Sequence, residues 1–138
     1  MAEPLFTVGY QGRTVVDLVR VLTDAGVKRV IDVRELPLSR KHGFSKTPLS
    51  AALAEAGIAY VHLKAAGNPY RHEAGDMERC LALYRAHLDR LPDVIAEIRQ
   101  LAAGSPVALL CAEANPKQCH RSVIARKAAG RAFAITNL

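Results

Sequence analysis

The sequence predicts an α/β fold: a single three-layer domain, residues 1–138, on a mostly parallel sheet of four to five strands with helices on both faces. Two observations carry that expectation. Short apolar or β-branched runs alternate with segments of helical periodicity, and parallel strands need crossovers of that kind between them. Half of the 138 residues are apolar, which supports a contiguous core without disulfide or metal staples.

Leu5–Gly9 is a short apolar strand, and Thr14–Ala25 then places Val15, Leu18, Val19 and Leu22 at helical spacing before Gly26 closes the helix. Arg29–Arg34 is β-branched and bounded by polar residues, a second strand. After a loop containing Pro37 and Gly43, Thr47 as N-cap and Pro48 at the first helical position open a helix ending at Gly57. Ile58–Leu63 is a third strand, and Lys64–Gly75, with Gly67, Asn68 and Pro69, is a loop. Met77–Leu91 holds Cys80, Leu81, Tyr84, His87 and Leu88 in helical register, and Pro92 opens a further helix to Ala103. Pro106–Cys111 is the most apolar strand. Asn115, Pro116 and Gln118 offer an N-cap, a first-turn proline and a third-position glutamine, predicting a helix from Pro116 to Ala129, with Arg131–Leu138 a last strand.

Longer apolar stretches such as Val107–Cys111 fall far short of the roughly 20 residues that cross a bilayer. Met1-Ala2-Glu3-Pro4 shows no basic region followed by an apolar core, so a cytoplasmic chain, neither secreted nor membrane-spanning, is expected. Cys80, Cys111 and Cys119 are an odd number without an export signal, which argues for reduced thiols. Lys and Arg outnumber Asp and Glu by 19 to 13, a formal charge of +6 that favours anionic partners. Aromatic content of 5%, with no Trp, leaves little for a base-stacking platform, so small anions are favoured over single-stranded nucleic acid.

In a parallel sheet, ligands bind beyond the carboxyl ends of the strands. That edge collects Gly9-Tyr10-Gln11-Gly12, Arg34 with its following loop, Lys64–Arg71 and Cys111–Glu113. The densest cluster of reactive types is Cys111, Glu113, Cys119, His120 and Arg121, at a strand-to-helix junction. A helix N-terminus there would favour anions and thiolates, reinforced by Lys117 and Arg121 and opposed by Glu113. The competing reading packs Cys111 as a small hydrophobe, pairs Glu113 with Arg121 and leaves His120 on the surface. Cys111, Glu113, Cys119 and His120 are also competent metal ligands, but Cys119 and His120, adjacent on a helix, would diverge by about a hundred degrees. No cofactor is expected on that ground.

A second segment runs from Asp32 to Lys46. Arg34, Arg40, Lys41 and Lys46 with His42 form an anion-binding rim, and Asp32 is placed to orient Arg34; the alternative is a solvated basic loop. His62 and His87 read as satisfied core histidines.

These segments resemble the family catalogued as domain of unknown function 488. The matching pieces are Thr7–Tyr10, Asp32-Val33-Arg34 followed by Pro37, Ser39-Arg40 and Phe44-Ser45-Lys46, then Gly57–Leu63, Cys111-Ala112-Glu113 and Cys119-His120-Arg121. Tyr10 stands where the family typically has His, and Gly67-Asn68-Pro69 where it often has Gly-Gly, which suggests a subgroup. The resemblance implies the α/β fold and carries no established activity. A weaker likeness is to rhodanese and cysteine-phosphatase domains. Arg121 lies ten residues after Cys111 and two after Cys119, so their Cys-to-Arg cradle does not map, and that likeness is one of fold alone.

Two functions follow. One is a small enzyme acting on an anionic, phosphorylated or nucleotide-like substrate, with Cys111 or Cys119 as nucleophile and Glu113 or His120 as proton carrier. Arg34 and Arg121 would clamp its charge, with Tyr10, Arg40 and Lys46 around it. The other is a non-catalytic module that recognises a nucleic-acid or nucleotide phosphate through the same arginines.

Overall fold

The computed structural model describes residues 3–70, 76–116 and 119–138. Its elements run β1 (Glu3–Gly9), α1 (Val15–Asp24), β2 (Arg29–Asp32), α2 (Lys46–Glu55), β3 (Ala59–His62), a 3₁₀ turn (Lys64–Ala66), α3 (Met77–Leu88), α4 (Pro92–Ala102), β4 (Val107–Cys111), α5 (His120–Ala129) and β5 (Phe133–Asn137). The five strands form one sheet in the order β3-β2-β4-β1-β5, and every pairing is parallel. β4 at the centre is buried along its whole length, which is why Val107–Cys111 reads as an unbroken apolar run.

The side chains of β4 part to the two faces. Ala108 and Leu110 pack with Leu18 and Leu22 of α1 and Leu49 and Leu53 of α2. Val107, Leu109 and Cys111 pack with Tyr84 and Leu88 of α3, Ile98 of α4, and Val123 and Ile124 of α5. The period-2 alternation of the strand thus divides three layers between two cores.

Local signals set most boundaries. Thr14 and Asp17 form a reciprocal capping box at α1, and Gly26 ends that helix's turn at φ 78°. Two starts differ from expectation. α2 begins at Lys46 behind Ser45 rather than behind Thr47, because Ser45 Oγ pins the basic loop, accepting from Ser39 N at 3.0 Å and donating to Ser39 O at 3.2 Å. α5 begins at His120 rather than Pro116: Cys119 stays extended, and its Sγ accepts from Arg121 N at 3.5 Å, taking the cap that Asn115 was expected to supply. Gln118, with Lys117, lies outside the described residues.

From β2 the chain continues through α2 to the β3 edge, and from β4 it continues through α5, on the opposite face, to the β5 edge. The loops after β2 and β4 therefore leave in opposite directions, opening a crevice at the carboxyl end of the sheet. No helix among the described residues is long and apolar enough to cross a membrane.

Candidate functional site

The crevice has a volume of about 100 Å³ and is lined by Arg34, Cys111, Glu113 and His120. Tyr10, Cys80 and Asn68 also line it, and the partly exposed Leu36, Leu38 and Met77 form an apolar rim. Gly9 makes the central approach possible. A Cβ there would stand 1.8 Å from the carbonyl oxygen of Glu113, so only glycine lets the end of β1 lie against the loop that follows β4.

Arg34 is 3% exposed and bound to Asp32 as a fork, Nε to Oδ1 at 2.8 Å and Nη2 to Oδ2 at 2.6 Å. Nη1 donates to Phe44 O at 2.7 Å and to Tyr10 OH at 3.4 Å. Tyr60 donates to Asp32 Oδ2, and His62 Nε2 meets Arg34 O at 2.8 Å. Burial alone disfavours the charge of Arg34, yet the Asp32 carboxylate outweighs it and holds the guanidinium pKa above its ordinary value. Arg34 therefore ties the ends of β1 and β2 to the basic loop, and its charge is spent inside the protein.

Arg121 is enclosed completely and meets no carboxylate at ion-pair distance among the described residues. Its Nη1 donates to the backbone oxygen of Glu113 and to Cys111 Sγ at 3.4 Å, and its Nη2 to Ala114 O at 3.2 Å. Nε has no partner. Burial lowers its pKa, which Glu113 partly offsets and Arg13 reinforces. The Glu113–Arg121 ion pair of the competing packing reading is therefore replaced by a bond to the backbone of Glu113. Its carboxylate turns instead to the sulfur, with Oε2 3.6 Å from Cys111 Sγ.

Cys111 and Cys119 are joined as a disulfide, their Cα atoms 7.4 Å apart. The expectation of three reduced thiols is thus corrected for these two and met by Cys80. The spacing argument against convergence of Cys119 and His120 fails as well. Cys119 precedes the helix instead of lying on it, so both sulfurs and a ring nitrogen of His120 lie within 4.8 Å of one another.

His120 is not a surface residue. Its Nε2 is 2.7 Å from Val33 O, its Nδ1 3.8 Å from Cys119 Sγ, and its ring stands edge-on to Tyr84 at 5.2 Å. Tyr84 is itself anchored by donation to Ala66 O, and burial raises its pKa. Tyr84, Tyr60 and the Val33 carbonyl hold His120 and Asp32 in place, contacts that sequence reasoning missed: the two tyrosines have the pattern of ordinary core residues, and a carbonyl has no sequence signature. Of the remaining rim residues, Tyr10 is buried and stacks on Phe44, whereas Arg40 and Lys46 are exposed and line neither this crevice nor its neighbour. Lys41 does line the neighbouring cleft of about 380 Å³, which shares Tyr10, Ala112 and Glu113 with the crevice. Arg71 lies outside the described residues.

No curated protein and no solved structure matches the chain. A family model does: the one described as Domain of unknown function DUF488 matches residues 14–128, which take in β2 with Asp32 and Arg34, β4 with Cys111 and the whole cysteine–histidine–arginine junction, and the chain belongs to that family.

Proposed function

We propose that the protein is a small cysteine-dependent enzyme acting on an anionic substrate, with Cys111 as its nucleophile. The observation that carries this reading is the bond from Arg121 to Cys111 Sγ. A buried guanidinium without a carboxylate is costly, and a thiolate at that sulfur would neutralise it. Cys111 lines the crevice, whereas Cys119 lies behind it. In the reduced protein Glu113 is within reach of the Cys111 proton.

The crevice admits a reacting group of only a few atoms, since a water molecule occupies about 30 Å³. The anionic part of the substrate would lie in the adjoining cleft beside Lys41, consistent with the +6 charge of the chain. A purely phosphate-binding module is less well supported, because it needs the two arginines at the surface and both are buried.

Peptide-mapped alkylation of the reduced, metal-free protein tests the reading. Cys111 should react at neutral pH at least tenfold faster than free cysteine, and nucleotides or inorganic phosphate should slow it. If Cys111 reacts no faster than Cys80 and phosphate has no effect, the cysteines are packing residues and the proposal falls.

A further inference from the structure

We propose that the reduced Cys111–Cys119 pair and His120 form a binding site for a thiophilic divalent cation, zinc, held by two sulfurs and Nδ1 with the fourth position facing the crevice. The proposal needs no catalysis by Cys111. It rests on the convergence of the three donor atoms within 4.8 Å. Two further features of the site point to a metal.

The first is the orientation of His120. The Val33 carbonyl, 2.7 Å from Nε2, can only accept, so in the neutral ring the proton resides on Nε2 and the Nδ1 electron pair is directed toward Cys119 Sγ. A ring nitrogen donating to a backbone carbonyl while its partner coordinates is the usual outer-shell arrangement of metal-bound histidine. Tyr84, packed edge-on, holds the plane of the ring.

The second is the backbone spacing of the cysteines. Cα atoms 7.4 Å apart lie beyond the usual disulfide span of about 4.4–6.8 Å. Two thiolates on one tetrahedral zinc, at about 2.3 Å each, sit roughly 3.8 Å from one another, which suits a wider backbone separation. Arg121 donates to both sulfurs, from Nη1 to Cys111 and from its backbone N to Cys119, and so would temper the charge of the two thiolates. Three protein ligands with an open fourth position are the pattern of a zinc site that exchanges water or a ligand, and thiolate donors exclude calcium and magnesium.

Loading requires the dithiol. A trialkylphosphine reduces the disulfide by two electrons, taking the oxygen of one water to become the phosphine oxide while its two hydrogens go to the sulfurs. Zinc then displaces both thiol protons to solvent. Zinc and an electrophile would compete for Cys111, so metal occupancy would silence the nucleophile reversibly.

The test is titration of the phosphine-reduced, chelator-stripped protein with cobalt(II), followed by zinc. One equivalent of cobalt should produce thiolate-to-metal charge-transfer absorption and d–d bands of tetrahedral intensity, both abolished by one equivalent of zinc. Cys111→Ser and Cys119→Ser should each remove at least about half of the charge-transfer band, one of the two thiolate donors being lost, and His120→Ala should weaken cobalt binding at least about tenfold. On the wild-type chain, zinc should protect Cys111 and Cys119 from alkylation but leave Cys80 unprotected, a readout that holds even if a variant fails to fold. Absence of the charge-transfer band, or equal protection of all three cysteines, overturns the site. Fast alkylation of metal-free Cys111 could still be observed then, so the two proposals fail separately.

Discussion

The guanidinium of Arg121, fully enclosed, donates from Nη1 to Cys111 Sγ at 3.4 Å and to the carbonyl of Glu113, while Nη2 holds the carbonyl of Ala114. One side chain thus closes the loop after β4 and sets the field at the sulfur. Arg121→Met should lose both roles. Stability should fall by about 1–3 kcal/mol from the orphaned carbonyls, and alkylation of reduced Cys111 at neutral pH should slow at least tenfold. Arg121→Lys keeps the charge without the fork, so it should retain much of the reactivity while still losing stability. Denaturant melts and alkylation rates on the same samples separate the two effects.

Glu113 makes no ion pair with an arginine among the described residues, and its carboxylate faces the sulfur 3.6 Å away. Glu113→Gln should therefore change stability by less than about 1 kcal/mol, in contrast to the loss of about 3–5 expected on breaking a buried pair. Removing the negative charge should also speed alkylation of Cys111. A large drop in melting temperature would mean that the carboxylate is structurally engaged after all.

Asp32 and Arg34 behave oppositely, as a buried fork in which each partner neutralises the other. Asp32→Asn should cost about 3–5 kcal/mol because Arg34 is left charged and uncompensated. Replacing both, as Asp32→Asn with Arg34→Met, should recover a substantial part of that loss. A double-mutant cycle measured by chemical denaturation gives the coupling directly.

Gly9 and Gly12 make different demands. Gly9→Ala drives a Cβ into backbone at Glu113, so it should destabilise by about 1–3 kcal/mol and disturb cysteine reactivity together with stability. Gly12, at φ 80° with nothing within 4 Å of its added Cβ, is constrained only by backbone conformation. Gly12→Ala should cost about 1 kcal/mol and leave Cys111 reactivity intact. Thermal melts paired with alkylation rates compare them.

Burial raises the pKa of Tyr84 and of Tyr60, the latter with Asp32 adding to the shift. Both folded values exceed the unfolded one of about 10, so the native state retains protons that the unfolded chain releases. The stabilisation is whole below that pH and is lost as pH rises toward the folded values. Stability should therefore fall above about pH 10, and Tyr84→Phe should flatten part of the fall. Tyrosinate absorbance followed beside circular dichroism checks that these two rings ionise only as the chain unfolds.

The chain by itself determined the layered α/β fold, because strand and helix periodicities and the apolar β4 run are local properties that burial on two faces imposes residue by residue. It also determined that Arg34, Cys111, Glu113 and His120 share one edge, since all follow strand ends that parallel pairing puts on the same side. Only the tertiary structure decided what those groups do to one another. Arg34 turned out to be neutralised by Asp32, Arg121 to face a sulfur and two carbonyls instead of a carboxylate, and Cys119 to cap α5 with its sulfur against Cys111. Such outcomes depend on differences of an ångström or two between loops that leave separate strands. Periodicity carries no information at that scale; the packing of Gly9 against Glu113 and the anchoring of His120 on Val33 set those distances.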